Sequence, residues 1–414
     1  MSNIYDIVII GGGPSGMMAA IEASANGLAV ALLEKNEKLG KKLYITGKGR
    51  CNLTNYSDTK SFMENVVTNP KFCFSMLNQF SSFNLMEFIE SQGCKLKVER
   101  GNRVFPQSDK SNDIIKILES TCKKRGVKIK FNFNVVNIIH YDDVFYIEGN
   151  ETVKSKKVII ATGGISYKAT GSTGDGYLFA RKFGHTVIKP VAGLVGINIK
   201  AHKCDLAGLS LKNVKASIKN NEGKILYSEF GEMLFTHTGY SGPIILSLSS
   251  KINRKDINTL SISIDFKPAL SEEVLTSRFE KDIQKNKEKL LKNVLTEYLP
   301  SNFVMTFIKY CGIMEDAKMK HINTKQCKTI ISAFKDYKQD IESLADINTA
   351  IITSGGIDVN EINPKTMESK IVSGLYFCGE VIDIDALTGG FNLQLAFSSG
   401  FCAGNYCRKS LEEI

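Results

Sequence analysis

Apolar residues open the chain in the spacing of two buried strands with a helix between them. Residues 4–10 form an apolar run typical of a buried strand, and the glycine-rich turn GGGPSG follows at 11–16. Apolar positions then recur at helical spacing over 17–27, and a second apolar run, 28–33, ends at Glu34. This pattern predicts a strand–turn–helix–strand unit of about 30 residues.

The same pattern places further elements along the first half of the chain. Apolar positions in register predict a helix over 112–125, and alternation predicts a strand over 128–139. Residues 158–161 read as a buried strand that leads into Thr162 and two glycines. The basic, glycine-rich segment 35–56 is predicted to be a loop.

The pattern changes twice in the second half of the chain. From 191 to 270 alternation dominates, and Asn-Glu-Gly at 221–223 predicts a hairpin turn. From 271 to 338 charged amphipathic helices follow, and Ser271 is a candidate N-cap. Beyond about residue 350 glycines and short buried strands return, which suggests that the first domain is completed there.

Composition narrows the class of protein. The chain has 414 residues, of which 43% are hydrophobic and 23% charged, as in an ordinary globular protein. It contains no apolar run long enough for a bilayer and no signal-peptide pattern, so we expect a cytoplasmic protein without membrane contact. Ten cysteines without a Cys-x-x-Cys spacing, and five histidines without ligand spacing, predict no metal site.

The net charge of +10 is compatible with two kinds of partner. The positive charge could bind nucleic acid, or it could belong to a Lys-rich surface that also attracts an anionic cofactor. Acidic residues lie among the lysines along the whole chain, which favours the second interpretation. We therefore expect no stable nucleic-acid complex.

The turn at 11–16 matches the dinucleotide fingerprint Gly11-x-Gly13-x-x-Gly16 in its required context, between a strand and a helix. The free N–H groups of the helix N-terminus can bind a pyrophosphate. The carboxylate of Glu34 is placed to accept hydrogen bonds from a ribose. This motif alone does not separate NAD from FAD.

A second glycine-rich element near the chain end favours FAD. CGEVIDIDALTGGFNLQLAFSSG (378–400) contains a strand, then Gly379 and Glu380, then Gly390 at the start of a helix-like run. Large flavoproteins use such an element to direct a helix N-terminus at the flavin edge that becomes negative on reduction. IIATGG (159–164) is the third expected piece, a strand and turn that close over the dinucleotide.

Four segments, LYITGKGRCNLTN (43–55), RVFPQSDK (103–110), LFTHTGYSGP (234–243) and GEVIDIDALTGGFNLQ (379–394), together resemble one bacterial flavoprotein family. It is known as the 3-dehydro-bile-acid reductase-like family and as the aminoacetone-oxidase-family FAD-binding proteins. GSTGDGY (171–177) also resembles the wider fumarate-reductase-like flavoproteins, many of which reduce or desaturate C–C bonds next to carbonyls.

The resemblance implies an α/β fold. A glutathione-reductase-type, Rossmann-like FAD-binding domain would be split by an inserted β-barrel-like module and a small helical module. We assign 1–190 and 350–414 to the FAD-binding domain and 191–270 with 339–349 to the β-rich module. Residues 271–338 are assigned to the helical module.

The fingerprint, the two later elements and the resemblance together yield a set of predicted FAD-binding residues. In chain order they are Gly11, Gly13, Pro14, Ser15, Gly16, Glu34, Lys35, Thr46, Gly47, Arg50, Cys51, Asn52, Val135, Ala161, Thr162, Gly163, Gly379, Glu380, Gly390, Phe391, Asn392, Leu393 and Gln394.

Two of these residues carry open alternatives. The resemblance implies that the loop around Arg50 lines the flavin, where its charge could offset a phosphate or the reduced ring; a solvated basic loop is the alternative. Cys51, beside that arginine, is either a thiol of lowered pKa or, in the favoured interpretation, a small wall residue.

Three side chains are candidates for binding the substrate or transferring a proton to or from it. Arg103 could bind a substrate carboxylate or polarise a carbonyl, or it could form a structural ion pair. His237 could supply or remove a proton, since histidine titrates near neutrality, and Tyr240 is a weaker candidate for that role. Both could equally be hydrogen-bonded turn residues.

These features predict an FAD-dependent oxidoreductase that transfers hydride between the flavin and a small or steroid-like substrate. The substrate would be an amine or a C=C conjugated to a carbonyl. TSGGI (353–357) lacks the spacing of a second fingerprint, so NAD(P)H would visit transiently or a protein would donate electrons. A tRNA-modifying type of flavoprotein and a flavin sensor without turnover are the alternatives. For the former, 13 Lys/Arg against 10 Asp/Glu over 271–340 is weak support.

Overall fold

The computed structural model describes residues 4–200 and 206–412, which form two units. The first unit consists of the chain up to Gly193 and from Asp346 onward, and the second is Leu194–Ala345. The assignment of the chain to an FAD-binding domain, a β-rich module and a helical module, made from the sequence, stays a prediction.

The strands follow one another in the chain as β1 (Tyr5–Ile10), β2 (Val30–Leu33), β3 (Thr54–Asn55), β4 (Val66–Thr68), β5 (Leu96–Glu99), β6 (Arg103–Pro106), β7 (Lys128–Lys130), β8 (Asn137–Tyr141), β9 (Val144–Glu148), β10 (Thr152–Ile160), β11 (Val187–Gly193), β12 (Ile197–Ile199), β13 (Ser210–Asn220), β14 (Ile225–Phe235), β15 (Gly239–Ser241), β16 (Leu260–Asp265), β17 (Tyr337–Leu344), β18 (Ile352–Ile357), β19 (Leu375–Phe377) and β20 (Asp385–Ala386).

The α-helices are, in the same order, α1 (Pro14–Ala23), α2 (Lys41–Ile45), α3 (Thr59–Met63), α4 (Pro70–Gln79), α5 (Ser82–Ser91), α6 (Ser111–Lys124), α7 (Asp175–Lys182), α8 (Pro243–Ile252), α9 (Glu272–Lys285), α10 (Leu291–Leu295), α11 (Ser301–Tyr310), α12 (Thr324–Lys335) and α13 (Phe391–Glu412).

A mostly parallel sheet is the centre of the first unit. Its strand order is β7-β2-β1-β10-β9-β8, and β19 also pairs with β10. Strand β1 lies between β2 and β10, with Val8 opposite Ala31 and Val158. The pairings of β1 with β2, of β1 with β10 and of β10 with β19 are all parallel. Because this central part is covered on both faces, β1 and β2 are apolar nearly throughout rather than alternating.

Helix α1 packs against the sheet and against α6 and α13. Its residues Met17, Met18 and Ile21 are fully buried in a core that also contains the apolar face of α6. The first βαβ unit, predicted from the periodicity alone, is therefore confirmed, although α1 begins at Pro14 rather than after the glycine turn.

The second unit contains a closed barrel with the strand order β12-β15-β14-β13-β16-β17. Helices α9 to α12 share one apolar core with it, in which Phe303 contacts Phe235 of the barrel at 5.3 Å and Phe266 at 5.2 Å between ring centroids. The predicted fold class, a Rossmann-like domain with a β-barrel-like and a helical segment, is confirmed.

Two local predictions in this unit are also confirmed. Gly223 has φ +80° in the turn between β13 and β14, and the backbone N–H groups of Glu222 and Lys224 donate to the side chain of Asn220. Ser271 caps α9 by accepting from the Val274 N–H at 3.3 Å.

Two other local predictions are wrong. The strand predicted over 128–139 is two strands, β7 and β8, because the chain turns at Asn132, whose φ is +54°. The loop predicted over 35–56 contains α2 and β3, which are too short to leave a periodic pattern in the sequence.

No helix within 4–200 and 206–412 is long and apolar enough to cross a membrane. The same described residues contain no group of three or more His, Cys, Asp or Glu side chains placed to hold a metal ion.

Candidate FAD site

The three fingerprint glycines occupy very different surroundings. Gly11 has φ +108°, and a Cβ there would lie 2.5 Å from the carbonyl oxygen of Ala161. A Cβ on Gly16 would overlap the carbonyl oxygen of Gly11, so turn and helix pack in direct contact. A Cβ on Gly13 would meet no atom within 4 Å. Only Gly13 therefore faces open space, at the N-terminus of α1, where a pyrophosphate can approach the backbone.

Glu34 lies directly after β2 and is 7% exposed. Its Oε2 accepts from the Gly12 N–H at 2.7 Å, and its Oε1 accepts from the Asn36 N–H at 2.8 Å. The carboxylate is thus fixed beside the glycine turn, in the position expected for a ribose-binding acid. Lys35, the next residue, pairs with Asp175 at 2.6 Å.

The third predicted piece lies against the first. The Ala161 N–H donates to the carbonyl oxygen of Ile10 at 2.9 Å, which places the turn Thr162–Gly163 beside Gly11. The Oγ1 of Thr162 is buried and has no hydrogen-bond partner in the described part of the chain. Val135 is also buried in this unit, 7% exposed.

The C-terminal element converges on the fingerprint. Helix α13 packs along α1, where a Cβ on Gly400 would overlap the carbonyl oxygen of Ser15 and a Cβ on Gly404 that of Ala19. A Cβ on Gly379 would overlap the Ser15 hydroxyl. Segments more than 360 positions apart in sequence thus meet at backbone contact, which explains the glycines on both sides.

The start of α13 also meets the flavin-loop segment predicted from the resemblance. A Cβ on Gly390 would overlap the carbonyl group of Thr54, and Asn55 Nδ2 donates to the Gly389 carbonyl at 3.1 Å. Gln394, fully buried, accepts from the Thr54 hydroxyl at 2.7 Å. The side chain of Gln394 is thus used to hold β3 against α13, and its predicted contact with FAD stays a prediction.

The other residues at the start of α13 have separate surroundings. Phe391 is 5% exposed and packs edge-on against Phe62 at 4.9 Å. The Asn392 side chain accepts from the Ala386 N–H at 2.9 Å and donates to its carbonyl at 2.7 Å, which anchors the preceding loop. Leu393 is half-buried. With Gly390 they form the first turn of a helix whose N–H groups have no partner in the helix itself.

The loop around Arg50 is closed by internal hydrogen bonds. Thr46 Oγ1 donates to the Leu43 carbonyl at 2.7 Å, and the Cys51 N–H donates to the Thr46 carbonyl at 3.0 Å. Gly47 has φ +58° within this turn. The Oδ1 of Asn52 is buried, and no described residue forms a hydrogen bond with it.

The Arg50 guanidinium is committed to protein partners. Its Nε donates to Asp109 at 2.7 Å, it also pairs with Glu99, and it lies 4.1 Å from the Phe105 ring centroid. Two carboxylates therefore already neutralise its charge, so the arrangement favours Arg50 as a support of the loop wall.

Glu380 belongs to a network that the sequence reasoning missed. Lys42 Nζ donates to both of its oxygens, at 2.9 and 2.6 Å, and the Ser166 hydroxyl and the Thr353 N–H donate to Oε1 at 3.2 and 2.7 Å. In the sequence, the only indication that Lys42 has a role was its position just before the LYITGKGRCNLTN motif, because its partner Glu380 is 338 residues away. This network joins the loop, the third piece and the C-terminal element.

The three substrate candidates lie in two different units. Arg103 is exposed in the first unit, where its Nε donates to the Arg100 carbonyl at 3.1 Å. In the second unit His237 is exposed in the turn between β14 and β15, whereas Tyr240 is 1% exposed and packs edge-on against Phe235 at 5.1 Å. Exposure therefore favours His237 over Tyr240 for contact with a substrate.

The residues of the first unit fit FAD. The open approach at Gly13, the carboxylate of Glu34, and the N-terminus of α13 supply the groups that a flavin dinucleotide requires. Thr162 Oγ1 and Asn52 Oδ1 are buried polar atoms that have no hydrogen-bond partner among residues 4–200 and 206–412, which leaves them able to bind a ligand.

The Cys51 thiol is predicted to be unreactive in the folded protein. It is fully buried, and burial raises its pKa to about 12, because the thiolate is disfavoured away from water. Its thiolate fraction therefore stays negligible at pH 8. This supports the favoured interpretation of Cys51 as a small residue in the wall of the site. We expect a thiol reagent at pH 8 to label half-buried Cys94 before Cys51.

Peptide mapping after timed alkylation would measure this order, with urea-unfolded protein as the reference for full reactivity. Rapid labelling of Cys51 in the native protein would contradict the buried, protonated thiol.

Comparison with known proteins gives consistent results. The model of the HI0933-like protein Rossmann domain matches residues 5–406. The chain is 31% identical over 404 residues to a 3-dehydro-bile acid delta(4,6)-reductase of Clostridium scindens, covering 96% of this chain and 98% of the relative. It is also 31% identical over 406 residues to a ribosomal RNA dihydrouridine synthase of Escherichia coli, covering 96% and 97%.

Among solved structures, the 3-ketosteroid-delta4-(5alpha)-dehydrogenase of Rhodococcus jostii matches with a TM-score of 0.53 and 14% identity, covering 99% of this chain and 98% of that chain. At this identity the likeness concerns the fold.

Proposed function

Because the chain belongs to the HI0933-like Rossmann family, we propose that it reduces a carbon–carbon double bond conjugated to a carbonyl group. The chain is an FAD-dependent oxidoreductase, and both the cofactor and the enzyme class predicted from the sequence are confirmed. The observation that carries the proposal is that the turns around Gly11 and Gly163 adjoin in one unit, where α13, which follows Gly390, packs along α1.

The names of the two relatives describe the same kind of reaction. A bile-acid reductase acting on 3-dehydro substrates and a dihydrouridine synthase both saturate a C=C bond conjugated to a carbonyl. When bound, FAD supplies the two electrons for such a step, as a hydride transferred to one carbon of the double bond. The carbonyl oxygen becomes negative, and the neighbouring carbon then needs a proton.

Residues of this chain suit the remaining tasks. The N-terminus of α13 would stabilise negative charge at the flavin edge. Arg103, whose terminal N–H groups have no partner among the described residues, would bind the substrate carbonyl. His237 would supply the proton. A cytoplasmic location and a small-molecule substrate stay part of this proposal.

The electron donor would come from outside the chain. The glycines of TSGGI form the buried strand β18, which pairs with β11 rather than opening a nucleotide turn. NAD(P)H would therefore visit transiently, or a protein partner would donate electrons.

The test is reoxidation of the reduced enzyme without oxygen. The FAD-loaded protein is reduced with dithionite and mixed with a 3-oxo-4-ene steroid, and its saturated 3-oxo counterpart serves as the control. We expect the flavin absorbance to return only with the enone, and mass spectrometry to find two added hydrogens. The proposal fails if neither the enone nor uridine in ribosomal RNA reoxidises the flavin.

One observation favours uridine in RNA as a second candidate substrate. In the second unit, segments 287–291 and 317–320 pair side by side, with the Met319 N–H donating to the Lys289 carbonyl at 2.9 Å. Lys285, Lys287 and Lys289 are exposed there, and none has a carboxylate within 4 Å among the residues that the structure describes. Such a surface could bind phosphates, and a steep decrease of RNA affinity with salt would support it.

His237 is predicted to matter for turnover and Tyr240 much less. We expect His237→Gln to lower kcat about 100-fold, because proton transfer by a positioned side chain contributes about that much, while KM changes little. Tyr240→Phe, in the buried barrel core, serves as the comparison and should retain most of kcat. Equal turnover by His237→Gln and the unmodified enzyme would remove histidine from the proposed mechanism.

A further inference from the structure

A cavity of the first unit has the properties of a nucleotide site. It has a volume of about 650 Å³, within the usual range for small-molecule pockets. It lies beside α2 and the start of α6, and its lining residues are Lys38, Leu39, Tyr44, Gly49, Lys110, Ser111, Asn112, Ile115, Lys116 and Glu119.

The cavity is separate from the fingerprint turn. Leu39 is 2% exposed, and its side chain fills the space next to Gly12, so that it stands between the cavity and the dinucleotide turn. Ile115 of α6 is also buried and completes an apolar wall. A ligand in this cavity would therefore be an additional molecule rather than part of the bound FAD.

An aromatic ring is held at the edge of the cavity. Tyr44 is 50% exposed, and the Ser111 hydroxyl fixes its backbone by donating to its carbonyl at 2.7 Å. The Lys38 ammonium lies 5.6 Å from the ring centroid. Because Lys38 lies over one face of this ring, a flat ligand ring would stack on the other face, with the cation close by.

The cavity also has unneutralised positive charge. Among the described residues, Lys38, Lys110 and Lys116 have no carboxylate within 4 Å of their ammonium groups. The one carboxylate in the lining, Glu119, is paired with Lys123 at 2.5 Å. Neighbouring lysines of the same region are neutralised instead, as Lys42 is by Glu380 at 2.6 Å.

We propose that this cavity binds a nucleotide in addition to the FAD, with its base on Tyr44 and its phosphates between Lys38, Lys110 and Lys116. An aromatic face next to three unpaired cations matches the two parts of a nucleotide, a flat base and an anionic phosphate. The same chemistry is present in a visiting nicotinamide dinucleotide and in a nucleotide of an RNA substrate.

Binding is tested on the FAD-loaded enzyme with AMP, 2′,5′-ADP and a short single-stranded RNA as probes, by titration calorimetry. We expect Lys38→Ala/Lys110→Ala/Lys116→Ala and, separately, Tyr44→Ala to weaken binding of at least one probe about tenfold or more. A charge-matched control replaces the exposed lysines Lys212, Lys215 and Lys224 of the second unit with alanine. Its affinities should stay within about twofold of the unmodified enzyme.

The different probes distinguish a nicotinamide dinucleotide from an RNA substrate as the source of the bound nucleotide. Weakened 2′,5′-ADP binding with a raised KM for NADPH points to the dinucleotide, and weakened RNA binding alone points to RNA. Absence of binding by all probes, or equal weakening by the control, overturns the proposal. Turnover of dithionite-reduced enzyme with a steroid enone should be unchanged in Lys116→Ala, a substitution at an exposed position of α6 outside the predicted FAD-binding residues, so that failure of this site and failure of the proposed reaction are distinguishable.

Discussion

Gly13→Ala is expected to fold normally and to lose FAD. Gly13 has φ −77° and ψ −177°, which alanine adopts without strain, and its Cβ would meet no protein atom within 4 Å. The added methyl would instead occupy the space through which a pyrophosphate approaches α1, so we expect FAD affinity to decrease at least about tenfold. Fluorescence titration of the FAD-free protein would measure the affinity, and thermal unfolding its stability.

Gly27→Ala is a control with the opposite expectation. Gly27 also faces open space, but its φ is +79°, so alanine should cost about 1 kcal/mol of folding free energy and leave FAD affinity unchanged. If Gly13→Ala retained full affinity for FAD, the fingerprint turn would not be the pyrophosphate site.

Gly400→Val is expected to destabilise the first unit by about 3 kcal/mol. A Cβ at this position would overlap the carbonyl oxygen of Ser15, which is backbone and cannot rotate away. Helices α1 and α13 would have to separate, and both are part of the same buried core. Urea unfolding of the FAD-free protein would measure the change in free energy.

Lys409→Val on the exposed side of the same helix is the matched control. It introduces the same β-branched side chain without a backbone overlap, and we expect a cost of about 0.5 kcal/mol. Similar costs for the two variants would contradict close contact between α1 and α13.

The elements that could be predicted are those whose pattern is local. The strand–turn–helix–strand unit, the hairpin turn at Asn220–Gly223 and the cap at Ser271 each depend on residues within a few positions of one another. Periodicity and backbone preference act over that range. The cofactor followed from the fingerprint together with a second glycine-rich element near the chain end, and the family from the resemblance of four longer segments.

Short or strained segments escaped prediction. Helix α2 has five residues and β3 two, so neither shows a period, and Asn132 divides an otherwise alternating strand by a left-handed turn. Only their tertiary partners define them, as when Gly390 packs on Thr54 of β3.

The sequence by itself thus determined the first βαβ unit and the class of cofactor. Tertiary structure alone decided which charges are already neutralised, since Arg50 pairs with Glu99 and Asp109, and Lys42 with Glu380. It also decided that Tyr240 is buried while His237 is exposed. The physical reason is that ion pairs and burial depend on which distant segments pack together, and sequence spacing carries no such information.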